Sequence, residues 1–239
     1  MKFIAHYSGS GGNLYELQYG TAGHRILIEC GVTIHRLLKA VGDLATVDAC
    51  LISHEHQDHA RCMDDLRQLG ATVEWSQYIS QPPRRAIDSF WGVRDGDSWG
   101  ATPFPVRHDA ECRGWYIEIP SQGALAYVTD AMYCPVKFPK VTHFALEANY
   151  DPAILDSEWK AGRLDDEQRN RIVQSHMSIE TTLGILKAND LAHLKEVHLL
   201  HLSNRHSNAE DFKRRVQALT GVPVYIAQER PKEEKSPCD

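Results

Sequence analysis

Four side chains able to bind metal lie within six residues of this sequence: His54, His56, Asp58 and His59. Neighbouring side chains in an extended loop point in opposite directions, so these four cannot all face one ion. We expect His54 and His56 to face one ion, and Asp58 and His59 to face a second ion beside it. Imidazole and carboxylate ligands together suit zinc, manganese or iron. A solvated polar loop is the alternative interpretation of the same residues.

Two predicted elements would hold this motif in place. Residues 47–53 form a short apolar run with β-branched side chains, which predicts a strand. The apolar residues of segment 60–69 follow helical spacing. The pattern therefore predicts a strand, a tight loop that carries the ligands, and a helix.

Other candidate groups also follow predicted strands. His108 lies near the end of the extended run 102–110, Asp130 follows the predicted strand 124–129, and Glu147 follows the predicted strand 141–146. Carboxylates at strand ends face the loops in which functional sites are assembled. His201 lies near the end of the predicted strand 197–202.

A glycine-rich loop, residues 8–13, follows the first predicted strand at 2–7. Its sequence is Ser-Gly-Ser-Gly-Gly-Asn. Glycines let backbone N–H groups approach an anion closely. The loop therefore predicts a phosphate-binding site, and a plain hairpin turn is the alternative.

The remaining chain predicts two stacked sheets with helices outside. The other strands are expected at 14–19, 25–30, 72–75, 115–119 and 222–226, and the other helices at 33–42, 156–173, 179–188 and 209–219. Residues 84–99 match neither pattern. We expect one domain over residues 1–229, followed by a charged, proline-containing tail at 230–239 that is disordered.

The composition is that of a soluble globular protein. The chain has 239 residues, of which 42% are hydrophobic and 24% are charged. It has neither an apolar run long enough to span a membrane nor an N-terminal signal core, so a cytoplasmic protein without a membrane partner is expected. The six cysteines show no paired spacing and predict reduced thiols, although Cys112, the one nearest a candidate ligand, could instead bind metal.

The net charge of −6 argues against a broad basic face that grips long nucleic acid. It does not exclude a substrate that carries phosphate. Two divalent ions would create a strongly positive spot inside an acidic molecule, and the local field matters most at a catalytic pocket.

Seven candidate ligands recur in a fixed order along the chain: His54, His56, Asp58, His59, His108, Asp130 and His201. This ordered set resembles the metallo-β-lactamase fold superfamily over nearly the whole chain. The resemblance implies an α/β fold, a four-layer αββα sandwich of two mixed β-sheets flanked by helices. It also implies two divalent metal ions per chain, with zinc preferred and manganese as the alternative.

The resemblance assigns each ligand to an ion. It implies that one ion is held by His54, His56 and His108. It implies that the second is held by Asp58, His59 and His201. Asp130 would bridge the two ions. The alternative for His108, Asp130 and His201 is that each is simply a buried polar residue.

Within this superfamily the chain most resembles the WalJ/YycJ branch, a group associated with exonuclease activity on DNA. The similarity lies in segments 8–13, 106–110, 147–151, 176–178 and 201–203. Two positions depart from the pattern: residues 147–149 read Glu-Ala-Asn where a Ser-Asn pair is expected, and Ser175 stands where a glycine is expected.

The chain also resembles tRNase Z-like phosphodiesterases, in which a glutamate at a strand end pairs with a later histidine. Glu147 and His176 fit that dyad. No tRNA-gripping arm is visible, because only the 48 residues 60–107 separate His59 from His108. The sequence likewise lacks an insertion for a β-CASP domain and the helical substrate domain of glyoxalase II.

These resemblances predict a binuclear metal-dependent phosphodiesterase, exonuclease-like on nucleic acid. A metal-bridging hydroxide would attack the phosphorus. His176, oriented by Glu147, would be the general acid, and Asp58 completes the predicted catalytic set. The alternative role of His176 is to cap the helix that begins at residue 179.

The predicted substrate-binding residues would position phosphate oxygens or touch the substrate: Ser8, Ser10, Asn13, Ser178 and His206. For the first four, ordinary turn and capping roles are the alternative. The remaining histidines are expected to be structural or at the surface: His6, His24, His35, His143, His193 and His198.

Three other functions stay open at this point. The first is a cyclic-nucleotide or other small-nucleotide phosphodiesterase, and the second is a lactone or thioester hydrolase. The third is a binding module without catalysis. The expected partner is a phosphodiester substrate, whether DNA, RNA or a nucleotide, and a homodimer is left open.

Overall fold

The computed structural model describes residues 1–74, 90–108 and 110–227. The predicted tail at 230–239 lies outside the described residues, and so do the end of the strand predicted at 72–75 and the first part of segment 84–99. The domain boundary at residue 229 stays a prediction.

The first sheet has the strand order β1-β2-β3-β4-β5. These strands are Lys2–Tyr7, Leu14–Tyr19, His24–Ile28, Val47–Leu51 and Val73–Glu74. Strands β1, β2 and β3 pair antiparallel. Strand β4 runs parallel to β3, and β5 runs parallel to β4. The sheet is therefore mixed, with its parallel half leading into the histidine motif.

The second sheet has the order β12-β11-β10-β9-β8-β7-β6. Its strands in chain order are Phe90–Arg94, Asp97–Val106, Cys112–Ile119, Gly123–Val128, His143–Glu147, Glu196–Leu200 and Val224–Ile226. Strands β6 to β9 pair antiparallel. Strands β9 to β12 run parallel, so the carboxyl ends of β9, β10 and β11 share one edge of the sheet.

Alternation along the strands distributes the side chains between layers. In β9, Leu125 and Tyr127 join the core between the two sheets, while Ala126 and Val128 join the core under the outer helices. Phe144 of β10 also faces the helices. Such strands are buried on both faces, which explains their nearly continuous apolar sequences.

Helices cover both outer faces. Helices α1 (Ile34–Val41), α2 (Gln57–Ala60) and α3 (Met63–Gln68) connect strands of the first sheet, and Leu37 and Leu66 pack on its outer face. Helices α6 (Ile179–Ala188) and α7 (Ala209–Thr220) pack on the second sheet. The predicted four-layer αββα sandwich is therefore confirmed.

Two predictions of local structure were wrong. The helix expected at 60–69 is two short helices, α2 and α3. The helix expected at 156–173 is a pair, α4 (Pro152–Lys160) and α5 (Asp166–Ser175). Gly162 has a φ of 69° after α4, and the Asp165 side chain caps α5 by accepting from the backbone N of Gln168 at 2.7 Å. Segment 84–99, which matched no pattern, ends in the hairpin of β6 and β7.

None of the helices described combines the length and the apolar character that crossing a bilayer would require.

Candidate active site

The candidate ligands come together where strands of both sheets end. Asp130 lies two residues past β9, Glu147 is the last residue of β10, and His201 directly follows β11. The register pairs Glu147 with Leu200, so Glu147 lies beside the chain that leads into His201. His54 follows β4 of the other sheet. Sites of α/β proteins commonly form at such carboxyl ends.

Three histidines form one compact group: His54, His56 and His108. One ring nitrogen from each lies within 4.8 Å of the others. The Nδ1 atom of His54 is 2.9 Å from the Ser53 hydroxyl, which holds the ring in place. The Nε2 atom of His54 is buried and has no hydrogen-bond partner among the described residues. Burial, reinforced by the neighbouring His59, lowers the pKa of His54 to about 2, so its imidazole is neutral and able to bind a cation.

A second group contains two aspartates and two histidines, whose ligand atoms also lie within 4.8 Å of one another: Asp58, His59, Asp130 and His201. Asp130 Oδ2 is 2.5 Å from His59 Nε2. Asp58 Oδ2 is 3.5 Å from His59 Nε2 and 3.8 Å from His201 Nε2. The structure thus places all seven predicted ligands in two adjoining groups.

The charges of the second group are strongly coupled. Burial opposes the charge on Asp130, but His201 and His59 outweigh it and hold the pKa of Asp130 well below its usual range. Burial likewise lowers the pKa of His59, but Asp130 and Glu29 outweigh that effect and raise it. Anionic oxygens and imidazole nitrogens therefore face one another in a buried space.

These donors fit divalent cations. The buried Nε2 atoms of His54 and His201 are left without hydrogen-bond partners among the described residues, one in each group. Buried polar atoms are normally paired, so an unpaired imidazole nitrogen in each group fits a role as a ligand of a cation. The donor set of imidazole and carboxylate is the one that zinc, manganese and iron accept.

A dyad adjoins the second group. His176 Nδ1 lies 2.7 Å from Glu147 Oε1 and 3.0 Å from Asp130 Oδ1. Burial lowers the pKa of His176, but the two carboxylates outweigh it and raise the pKa to about 10. The ring is partly exposed, unlike the fully buried Glu147. A protonated imidazole that reaches solvent beside the candidate metal groups can donate a proton.

Glu147 is itself held rigidly. Its Oε2 atom accepts from the backbone N of Met177 at 3.1 Å and from that of Ala131 at 3.3 Å. His176 ends α5, and its backbone N bonds to the carbonyl of Ile172 rather than capping the next helix. Ser178 is the N-cap of α6. The capping alternative for His176 therefore does not describe its contacts.

Two supporting residues were missed in the sequence. Glu29, directly after β3, is fully buried and lies with its Oε1 3.5 Å from His59 Nδ1. It accepts from the Tyr127 hydroxyl at 3.0 Å and from the backbone N of Ser53 at 3.2 Å. Asn149 donates to the carbonyl of His201 at 2.8 Å. The one signal for Glu29 in the sequence was its acidic side chain near the end of the predicted strand 25–30.

The backbone is strained at the same places. Glu29, Asp130 and His201 have φ values of 63°, 44° and 53°, in the left-handed region that favours glycine. Non-glycine residues in this region cluster at functional sites. All three residues lie at the ends of strands that surround the candidate metal groups.

Side chains of the glycine-rich loop hydrogen-bond to the backbone of candidate ligands. The Ser8 hydroxyl accepts from the backbone N of His201 at 2.9 Å and lies 2.8 Å from the Tyr15 hydroxyl. Asn13 Nδ2 donates to the carbonyl of Asp58 at 3.1 Å, and Asn13 Oδ1 accepts from Gly9 N at 2.9 Å. Both side chains are buried. Their contacts favour a structural role over direct contact with substrate.

The other predicted substrate-binding residues differ in their burial and in their contacts. Ser178 accepts from the backbone N of Thr181 at 3.1 Å, which is a capping contact. His206 is buried, and its Nδ1 is 3.3 Å from the Ser203 hydroxyl. Ser10 is exposed on the glycine-rich loop. Cys112 is buried 3.7 Å from His54 Nδ1, and burial raises its pKa, so it is a neutral thiol outside both groups.

Comparisons with known proteins agree with this geometry. A family model described as the beta-lactamase superfamily domain matches residues 24–201, a range that includes all seven candidate ligands. The chain is 25% identical over 230 residues to exodeoxyribonuclease WalJ of Streptococcus pneumoniae, covering 87% of this chain and 84% of that protein.

Solved structures share the fold. The metallo-beta-lactamase fold protein YhfI from Bacillus subtilis superposes with a TM-score of 0.64 at 16% identity, over 95% of each chain. Human tRNase Z, short form, superposes with a TM-score of 0.55 at 15% identity, over 96% of this chain and 97% of that one. An isothiocyanate hydrolase from Delia radicum gut bacteria gives 0.53 at 15% identity, over 95% and 96%.

Proposed function

We propose that this chain, which belongs to the beta-lactamase superfamily, hydrolyses phosphodiester bonds of nucleic acid in an exonuclease-like manner. The chain is a hydrolase of the metallo-β-lactamase fold, a fold that implies divalent metal ions, and it has histidine and aspartate clusters for a metal site. Our proposal concerns the bond that is hydrolysed, the metal that is used and the role of each residue.

The proposed ligands follow the two groups. His54, His56 and His108 would hold one ion, and Asp58, His59 and His201 would hold the other. Asp130 would contact both. Divalent cations held by these residues would lower the pKa of a bound water molecule and neutralise charge on the phosphate oxygens. Zinc is the first expectation and manganese the second.

The contact between Glu147 and His176 carries the proposal. Phosphodiester hydrolysis expels an alkoxide, which is a poor leaving group unless it receives a proton. The Nδ1 atom of His176 is engaged by the Glu147 carboxylate at 2.7 Å, which leaves Nε2 as the atom that donates the proton. A thiolate leaving group needs no such donor, so the dyad favours a phosphodiester over a thioester.

The similarity to exodeoxyribonuclease WalJ over most of the chain supports DNA as the substrate. A small-nucleotide phosphodiesterase, for example one that opens a cyclic nucleotide, is the second candidate. The net charge of −6 favours it, since a processive nuclease usually carries a basic track for the backbone. A cytoplasmic location and a homodimer stay predictions from the sequence.

The test compares four substrates with the purified protein loaded with zinc or with manganese: 5′-phosphorylated duplex DNA, single-stranded RNA, a cyclic mononucleotide and an acyl thioester. We expect mononucleotides to be released from the ends of the DNA, and the thioester to turn over far more slowly. Thioester hydrolysis without cleavage of any phosphodiester would overturn the proposal. Preferred cleavage of the cyclic mononucleotide would select the second candidate.

A further inference from the structure

A groove runs along the outside of the second sheet, between residues 133–137 and helix α6. It has a volume of about 450 Å³. Residues of the loop form one wall and one face of α6 forms the other: Tyr133, Pro135, Lys137, Thr181, Gly184 and Ala188. The volume lies in the range of small-molecule sites.

Both walls of the groove are anchored at the candidate active site. Tyr133 lies three residues past Asp130, and its carbonyl accepts from the backbone N of Arg107, the neighbour of His108, at 3.4 Å. On the other wall, Thr181 N bonds to the hydroxyl of Ser178, two residues past His176. One end of the groove is therefore formed by chain segments that also carry Asp130 and His176, and the groove leads away from that end along α6.

The helical wall leaves room for a ligand. Thr181, Gly184 and Ala188 are three and four residues apart, so they lie on one face of α6. A Cβ atom added at Gly184 would meet no atom within 4 Å. Phe138 N bonds to the Asn189 side chain at 2.7 Å, which holds the loop against the far end of the helix. The groove is thus a fixed feature of the fold and is open along its length.

The other wall presents an aromatic ring and a cation. Tyr133 is 56% exposed, so the face of its ring is open to a ligand. Lys137 is exposed and makes no ion pair within the part of the chain that the structure describes. The acidic residue of this groove, Glu180, is already paired with Arg215. An exposed ring and an unpaired ammonium suit a base and a phosphate.

We infer that this groove binds the part of the substrate that leaves: Tyr133 stacks on the base of the leaving nucleoside, and Lys137 contacts the phosphate that follows it. The inference rests on the proposed phosphodiesterase function and narrows its substrate. Because His176 protonates the leaving oxygen in the proposed function, the leaving group extends past His176, on the side where Tyr133 and Thr181 form the near end of the groove. The substrate class is an oligonucleotide, since a cyclic mononucleotide has no separate leaving nucleoside to fill the groove.

The experiment compares two substrates with the metal-loaded full chain. One is a p-nitrophenyl ester of thymidine phosphate, whose leaving group is small and needs no proton. The other is a thymidine oligonucleotide of three residues. The readout is the ratio of kcat/KM for the oligonucleotide to kcat/KM for the ester, measured for the wild type and for Tyr133→Ala, Lys137→Glu and Gly184→Leu.

We expect Tyr133→Ala to lower this ratio by about 10-fold or more, the size of one lost base stack. Gly184→Leu should lower it through the filled groove, and Lys137→Glu should lower it most at low salt. Tyr133→Phe should keep the wild-type ratio, because its ring still stacks. Tyr225→Ala is the matched control: Tyr225 is 48% exposed on β12, and its loss should not change the ratio.

The outcomes separate the two proposals. If the wild type cleaves neither substrate, the proposed function fails. If it cleaves both and all three groove variants keep the wild-type ratio within twofold, the groove inference alone fails. Thermal unfolding and metal content of each variant establish that it is folded and loaded. A Cβ atom at Gly184 would meet no atom within 4 Å, and the φ there lies outside the left-handed region, so Gly184→Leu tests the groove even if another variant misfolds.

Discussion

His176 Nδ1 lies 2.7 Å from Glu147 Oε1, a contact between the end of helix α5 and the end of strand β10. Two backbone N–H groups hold the other oxygen of Glu147, so the carboxylate cannot turn away from the ring. The contact fixes which nitrogen of His176 faces the carboxylate and which one is left for the substrate.

The first prediction concerns this dyad. His176→Ala should lower kcat for a dinucleotide by about 10² to 10⁴, the usual contribution of a general acid. The loss for a p-nitrophenyl ester should be far smaller, because nitrophenolate leaves without a proton. For the dinucleotide, kcat of Glu147→Gln should lie between that of the wild type and that of His176→Ala, since this variant keeps the imidazole ring but removes its charged partner. Equal losses on both substrates, with metal content unchanged, would remove His176 from proton transfer.

The second prediction concerns metal stoichiometry. Asp58 faces His59 and His201 at 3.5 and 3.8 Å but belongs to no contact of the three-histidine group. Asp58→Ala should therefore retain one of two ions per chain. Mass spectrometry of metals in the undialysed protein measures this. Glu55→Ala, which changes an exposed acid in the same loop, should retain both. Two ions in Asp58→Ala would contradict the assignment.

Much of the site could be predicted because its residues follow strands. Parallel strands place their carboxyl ends at one edge, so Asp130, Glu147 and His201 meet there although many residues separate them in the chain. The close spacing of His54 and His59 is visible in the sequence itself. The predicted strands, loops and helices therefore indicated where most of the candidate ligands would lie.

The supporting contacts could not be predicted, because each depends on distant partners. Glu29 is one carboxylate after a strand, and its partner Tyr127 is 98 residues away in the other sheet. Ser8 and Asn13 read equally well as a phosphate loop, yet their side chains are taken up by His201, Tyr15 and Asp58. Which partner each of these side chains contacts depends on how the two sheets pack on each other.

The third prediction tests Glu29. Glu29→Gln replaces an oxygen that accepts a hydrogen bond with an amide that donates, so either Tyr127 or Ser53 N loses its acceptor. One buried donor left unpaired should cost about 1 to 3 kcal/mol of unfolding free energy. Because Glu29 also supports His59, metal affinity should fall by about 10- to 100-fold. Chemical denaturation and competition with a chelating dye measure the two effects.

The control for Glu29 is Glu16→Gln. Glu16 is another buried acid of the first sheet, and it bonds to His6 at 2.9 Å. This variant should lose stability without a change in metal affinity, because the contacts of Glu16 are to His6, Gln18 and Arg25, whereas Glu29 lies 3.5 Å from the candidate ligand His59. If both variants weakened metal binding alike, the support that we assign to Glu29 would be a general effect of stability.

The fourth prediction concerns Gly31. A Cβ atom there would lie 1.6 Å from the backbone oxygen of Asp58 and 2.6 Å from the nitrogen of His59. Gly31→Ala must therefore push the ligand loop away, and we expect loss of metal together with a fall in stability of a few kcal/mol. Gly184→Ala is the opposite case: it lies in a helix with open space around it and should stabilise by about 1 kcal/mol. Normal metal content in Gly31→Ala would show that the loop tolerates displacement.

The fifth prediction concerns pH and a histidine away from the metal groups. Burial lowers the pKa of His143 to about 4, although Glu196 opposes the shift. In the unfolded chain the pKa of this histidine is about 6.5, so between pH 6.5 and pH 4 the unfolded state binds a proton there and the folded state does not. Stability should therefore fall as pH drops from 6.5 towards 4, with about 2 kcal/mol of the loss at pH 5 due to His143.

Denaturation of the metal-loaded protein at pH 7.5 and pH 5 measures this, and variants isolate the one group. In His143→Gln the difference between the two pH values should shrink by about 2 kcal/mol, because the new side chain does not titrate. His35→Gln changes an exposed histidine and should keep the wild-type difference. Loss of metal at low pH affects all three proteins equally and cancels in the comparison. An unchanged difference in His143→Gln would mean that His143 is not held neutral in the folded protein.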